Sequence, residues 1–278
     1  MKITEQSVTI IDPIDKDYIY RKLELIGRVC YKSEDKITEG SAEQFLRRII
    51  KSGHESVLEH QSISVKFIVS RSIANQIVRH RVASYSQEST RYCDYNSGRL
   101  GGEITVIRPI DIKPDALEFA IWEQAGMDAE KAYQNLRFID VPPEDAREVL
   151  PHCLKTELVM TANIREWRHF FRMRCAPAAH KQTRQVAKEL LKMFYEKIPV
   201  LFEDEWAEFV GWEAQNEKMI KSDPAGNWQL DGVSWKDLKV GAIINKEMFD
   251  KLYSALWKLK DYEASGLTPD EVIDSMWT

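Results

Sequence analysis

Between residues 62 and 70, SISVKFIVS, apolar side chains alternate with polar ones through Val65, Phe67 and Val69, which predicts a strand with one buried face. The segments around it follow the helical period instead. Residues 16–34 space their apolar positions three and four apart. SAEQFLRRIIKSG, 41–53, opens on a serine cap and stops at Gly53. RSIANQIVRHR, 71–81, predicts a helix with Ile73, Ile77 and Val78 turned inward, and a polar loop follows it to Tyr92. Further on come a short strand at 104–109 closed by proline, a long helix over 115–138 and a shorter one over 142–151. Residues 154–174 pass from a strand-like run into a helix, and 180–199 form a strongly amphipathic helix.

Helices and a few strands without regular alternation, and without a GxGxxG turn, indicate an α+β fold. Helices are expected to pack on a small mixed or antiparallel sheet, with a C-terminal helical extension. The pattern changes near residue 203. Beyond it lie Trp206, Trp212, Trp228, Trp235 and Trp257, a turn-rich SDPAGN, and helical spacing again over 246–263. Two domains are therefore expected, 1–203 and 204–278, the second without assigned chemistry.

Composition narrows the class. Hydrophobic residues make up 44% and charged ones 30%, ordinary values for a globular chain. The start lacks the apolar block of a signal peptide, and no run reaches a membrane span of about 18 residues. A cytoplasmic protein with no membrane partner is expected. Cys30, Cys93, Cys153 and Cys175 form no CxxC pair, and the histidines show no HExxH spacing, so neither a disulfide framework nor a metal is expected. The net charge is −5, yet residues 203–278 hold twice as many acids as bases and the remainder is net positive. Compact arginine clusters on that remainder suit a small anionic ligand better than a nucleic-acid polymer.

The first cluster is RHRVASYSQESTRY, 79–92, where Arg79, Arg81 and Arg91 flank Ser84, Ser86, Ser89 and Thr90, with Glu88 as the one acid. Guanidinium forks match phosphate oxygens, and loop hydroxyls complete such a cradle. The second, 163–184, holds Arg165, Arg168, Arg172, Arg174, Lys181 and Arg184 against Glu166 alone. Two basic sites suggest a nucleotide and a second phosphorylated ligand, or a subunit interface for one of them. GHESVLEH, 53–60, offers His54, Glu55, Glu59 and His60 just ahead of a strand, read either as a ligand-facing turn or as a capped loop. Ser89 lacks a GxSxG elbow, and no base is placed beside it or beside Cys93 and Cys175.

Arg79-His80-Arg81, seven residues and then Ser89 resemble the signature of the flavin-dependent thymidylate synthases. Arg91-Tyr92, GHES-x-x-EH, Gln76, Arg147 in AREVLP, TANIR and Arg174 in RMR extend the likeness over roughly residues 15 to 200. The resemblance implies FAD as cofactor, a homotetramer with active sites shared between subunits, and methylation of dUMP with methylenetetrahydrofolate and NADPH as co-substrates. It implies that Gln76, Arg79, Gln87, Glu88, Ser89, Arg91, Arg147 and Arg174 contact dUMP. Ser56, Glu59, Arg79, His80, Arg81, Gln87, Asn163, Arg165 and His169 would line the flavin. In the chemistry it implies, Arg174 stabilises charge on the uracil, Ser89 polarises the pyrimidine, and His54 lies near flavin and folate, with no cysteine nucleophile. Gln87 stands where many relatives have glutamate, and His169 where the family often has asparagine. A non-catalytic sensor of nucleotide phosphates is the alternative function.

Overall fold

The computed structural model describes residues 1–96 and 101–210, and the backbone of 220–222 and 228–230. Residues 1–210 make one compact unit and 211–278 another. The first is built on a four-stranded antiparallel sheet of β2 (Ser7–Ile10), β3 (Ser62–Ser70), β6 (Lys155–Asn163) and β4 (Ala83–Gln87), in that spatial order. The expectation of a mixed or antiparallel sheet resolves to antiparallel here. A separate parallel pair joins β1 (Lys2–Thr4) to β5 (Thr105–Ile107). Neither β1 nor β2 was legible in the sequence; each is three or four residues long, too short for alternation to register.

The alternation in 62–70 does mark a half-buried strand. Ile63, Val65, Phe67 and Val69 are buried, and their partners on β6, Ala162, Met160, Leu158 and Thr156, are buried beside them. Helices α1 (Lys16–Val29), α2 (Ser41–Lys51), α3 (Arg71–Ile77), α6 (Ile164–Arg174) and α7 (Lys181–Lys197) bury residues in the same core. Trp167, Phe170, Phe171, Phe194 and Phe202 form its aromatic centre, and Trp167 donates from Nε1 to the carbonyl of Ile63 at 3.0 Å. A second core gathers around Tyr133 on α4 (Leu117–Phe138), with Val106, Ala146 and Leu154. The short helix expected at 142–151 is split into α5 (Pro143–Ala146) and a 3-10 turn over Arg147–Val149.

The polar loop expected after residue 81 is instead the edge strand β4. Its exposure does alternate, with Ser84 and Ser86 outward and Ala83, Tyr85 and Gln87 half-buried. An edge strand pairs on one side only, so its small polar side chains carry no apolar signal. All four cysteines are free. Among the described residues no helix is long and apolar enough to cross a membrane.

The boundary expected at 203 lies inside the first unit's packing. Helix α8 (Glu203–Phe209) carries Glu205, which is fully buried and within 2.9 Å of both Arg168 Nη1 and Arg172 Nη2. Arg168, also buried, reaches Asp204 at 2.8 Å and Glu55 at 3.2 Å. In the second unit Ile220–Ser222 pairs antiparallel with Trp228–Leu230. The helical spacing over 246–263 lies outside the described residues.

Removing one partner of a buried ion pair strands the other, so Glu205→Ala is expected to destabilise the domain by about 3–5 kcal/mol, read from its denaturant midpoint. A chain ending at Phe202 should be weakened at least as much against one ending at Val210. Equal midpoints for those two truncations would return the boundary to 203.

Candidate active site

The antiparallel register fixes where each cluster sits. Helix α3 starts where β3 ends, opposite Lys155, and β4 starts opposite Ala162, at the far end of β6. The Arg79-His80-Arg81 turn therefore lies by the Asn163 end of the sheet. Glu88 lies by the Lys155 end, where its N–H donates to the carbonyl of Glu157 at 2.8 Å. The hydroxyl of Tyr85 ties the turn down, lying 3.0 Å from the carbonyl of Ile77 and 2.6 Å from that of His80.

At the first end His80 is buried, 5.0 Å from the ring of Phe170. Its Nδ1 lies 3.0 Å from Glu166 Oε1, and its Nε2 accepts from Arg174 Nε at 3.0 Å. Arg174 also donates from Nη2 to the carbonyl of Gln76 at 2.7 Å, while the Gln76 side chain accepts from Thr183. A guanidinium donates and never accepts, so Nε2 carries no proton and Nδ1 does. Burial first, then the charge of Arg174, lower the imidazole pKa to about 4. Burial raises that of Glu166. Burial and the neighbouring Arg79 depress the pKa of Arg174. Arg79 and Arg81 are exposed and have no ion-pair partner among the described residues.

His80, Glu166 and His169 bring ligand atoms within 4.8 Å of one another, the one such grouping among the described residues. Both nitrogens of His80 are taken, one by a guanidinium, so the grouping is a poor cation site.

The second end holds Gln87, Glu88, Ser89, Arg91 and Arg147. Arg147 donates to Thr90 at 3.2 Å, and a cavity of about 270 Å³ is lined by both together with Arg71. Arg91 pairs with Glu144, both exposed. Ser89 Oγ accepts from the Arg91 N–H at 3.3 Å, which leaves its own proton free to donate. The carboxylate of Glu88 faces inward, bonded to Tyr95, Lys155 and the Glu157 N–H, so only its backbone is left for the expected contact with dUMP. Gln87 points to Thr156. The six residues from Ala83 to Glu88 separate the ends by about 17 Å at strand rise.

The third group is carried by Gly53, whose positive φ of 72° closes α2 with the 6→1 bond from the His54 N–H to Ile49. That leaves His54 and Ser56 exposed at the head of a 3-10 helix, Glu55–His60. Glu59 pairs with Arg165. Asn163 caps α6 through Oδ1, accepting from the Glu166 N–H at 2.9 Å, and His169 is exposed. Within the second arginine cluster, Arg168 and Arg172 are not free to hold an anion. Arg168 and Arg172 are held by Glu55 and Glu205, acids far away in sequence, so the local shortage of acids misled.

Sequence reading passed over Glu166, Thr183, Tyr85 and Arg71. Glu166 had one signal, its position as the sole acid among those arginines.

Residues 17–200 match the family described as thymidylate synthase complementing protein. The chain belongs to that family. The flavin-dependent thymidylate synthase of Geobacter sulfurreducens is 35% identical over 187 residues, 65% of this chain and 79% of its own. That of Mycobacterium tuberculosis is 36% identical over 200 residues, 66% and 78% of the two chains. The fold is similar to that of a UMP/dUMP methylase, PolB from Streptomyces cacaoi, solved with 5-Br dUMP, at a TM-score of 0.61 and 20% identity, covering 75% of this chain and 98% of that one.

Because His80 is held neutral, acid opposes the fold. The unfolded imidazole takes up a proton below about 6.5 and the folded one only near 4, so stability should fall as pH drops through that window. His80 accounts for at most about 3 kcal/mol, and Glu166, shifted upward, titrates in the opposite sense and offsets part of it. Urea midpoints at pH 7 and 4.5 should converge in His80→Gln.

Proposed function

We propose that the chain is a flavin-dependent thymidylate synthase, converting dUMP to dTMP with methylenetetrahydrofolate as carbon donor and NADPH as reductant. The observation that carries this reading is the cationic end built on α3 and α6 inside the matched family region. Arg174 is fixed by neutral acceptors, the His80 ring and the Gln76 carbonyl, so its charge is not neutralised, and Arg79 stands beside it. Such a preorganised guanidinium stabilises negative charge that develops on a pyrimidine ring.

Ser89 suits polarisation of a pyrimidine carbonyl, since its proton is free and no base touches its oxygen. Arg91, Arg147 and Thr90 suit the phosphate. The exposed ion pair of Arg91 with Glu144 is weak enough to yield to it. Arg79 and Arg81, cationic and without acidic partners among the described residues, fit the diphosphate of FAD, with Ser56, Asn163 and His169 nearby in the reading and His54 at the folate side. When bound, the flavin supplies the reducing hydride.

In one subunit the backbone of β4 puts about 17 Å between the Arg79-His80-Arg81 turn and the loop that carries Ser89 and Arg91. This supports sites completed by a second copy, with Gln76, Arg79 and Arg174 from one chain and Ser89, Arg91 and Arg147 from another, within the homotetramer that the family resemblance implies.

The purified protein should be yellow and should methylate dUMP. Arg174→Ala should lower turnover by about 10²-fold or more while the flavin stays bound. Ser89→Ala should slow turnover without abolishing it. Mixed and reassembled Arg174→Ala and Arg91→Ala subunits should regain up to about a quarter of wild-type activity, because random pairing leaves that share of sites intact. No recovery would place both residues in one subunit's site.

A further inference from the structure

Glu166, Phe170 and Arg174 are four residues apart in turn, so they form one stripe along α6. His80 lies across that stripe, over Phe170, with Glu166 at one nitrogen and Arg174 at the other. No part of the proposed chemistry uses Glu166.

We propose that Glu166 is a positioning residue, which accepts the Nδ1 proton of His80 and so keeps Nε2 an open acceptor for Arg174. The tautomer of an imidazole is set by the hydrogen bond its other nitrogen makes. With the carboxylate at Nδ1, the ring presents a lone pair to the guanidinium. With the opposite tautomer it presents an N–H, two donors face each other, and Arg174 is pushed off. Held by Nε and Nη2, the guanidinium keeps both donors of Nη1 for a ligand. The first turn of α6 helps Glu166 remain a carboxylate despite its burial, because the helix N-terminus favours negative charge and Asn163 closes that turn. Burial and the adjacent Arg174 hold His80 neutral, as the relay requires.

This inference rests on the proposed function of Arg174, and two measurements on the full chain separate them. Imidazole ¹⁵N shifts of histidine-labelled protein report the tautomer and need no turnover. Wild type at pH 7 is expected to show His80 protonated on Nδ1, and Glu166→Ala to lose that form. Turnover of dUMP should fall about tenfold or more in Glu166→Ala, with bound flavin unchanged. Glu166→Gln, whose amide oxygen still accepts from Nδ1, should recover part of both signals. An Nε2-protonated His80 in wild type, full turnover in Glu166→Ala, or loss of flavin in step with turnover would each overturn the inference. A wild-type protein that shows the Nδ1 tautomer but never methylates dUMP would overturn the functional reading and the role in it, leaving the hydrogen-bond geometry standing.

Discussion

Strand β6 pairs on both sides, along all nine of its residues with β3 and along five with β4, and nearly every placement in the molecule follows from that register. A slip of one residue would turn Leu158 and Met160 out of the core. It would also move the Arg79-His80-Arg81 turn off the end of α6, because β4 begins opposite Ala162 and α6 begins just past Asn163. The turn and the helix meet because the chain leaves β6 directly into α6, with Asn163 serving as the last strand residue and the helix cap. The backbone pairing thus brings together the segments that carry Glu166, His80 and Arg174.

Much of this was legible in advance, for a physical reason. Strand β3 and helices α1, α2 and α7 are long and amphipathic, so their periods stand out over several turns. The Arg-His-Arg motif and Arg174 could be picked out because they are chemically dense. Partners distant in sequence were not legible. Nothing near Arg168 announces Glu55 or Glu205, and the scarcity of acids around it suggested a ligand where the fold supplies carboxylates. Nothing near Glu88 announces Lys155 and the Glu157 N–H. Strand β4 was hidden because an edge strand with serines on its outer face carries no apolar alternation. The sharing of a site between subunits entered only through family resemblance; the separation along β4 adds a geometric reason for it.

The arginines divide by the chemistry of what holds them. Arg137, Arg168 and Arg172 are paired to carboxylates on other elements and link pieces of the fold. Arg174 and Arg147 are held by a ring nitrogen, a backbone carbonyl and a hydroxyl, with Arg147 only grazing Glu148 at 3.5 Å. A carboxylate partner would fix a guanidinium more firmly, but it would also neutralise the field that an anionic ligand feels. Neutral acceptors orient the group and leave the charge in place, at a cost in stability that the depressed pKa of Arg174 records. Glu166 fits this logic by standing one residue back. Its negative charge orients His80, and the neutral ring, rather than the carboxylate, touches Arg174. On that argument the ordering of the site and its positive potential are supplied by different groups.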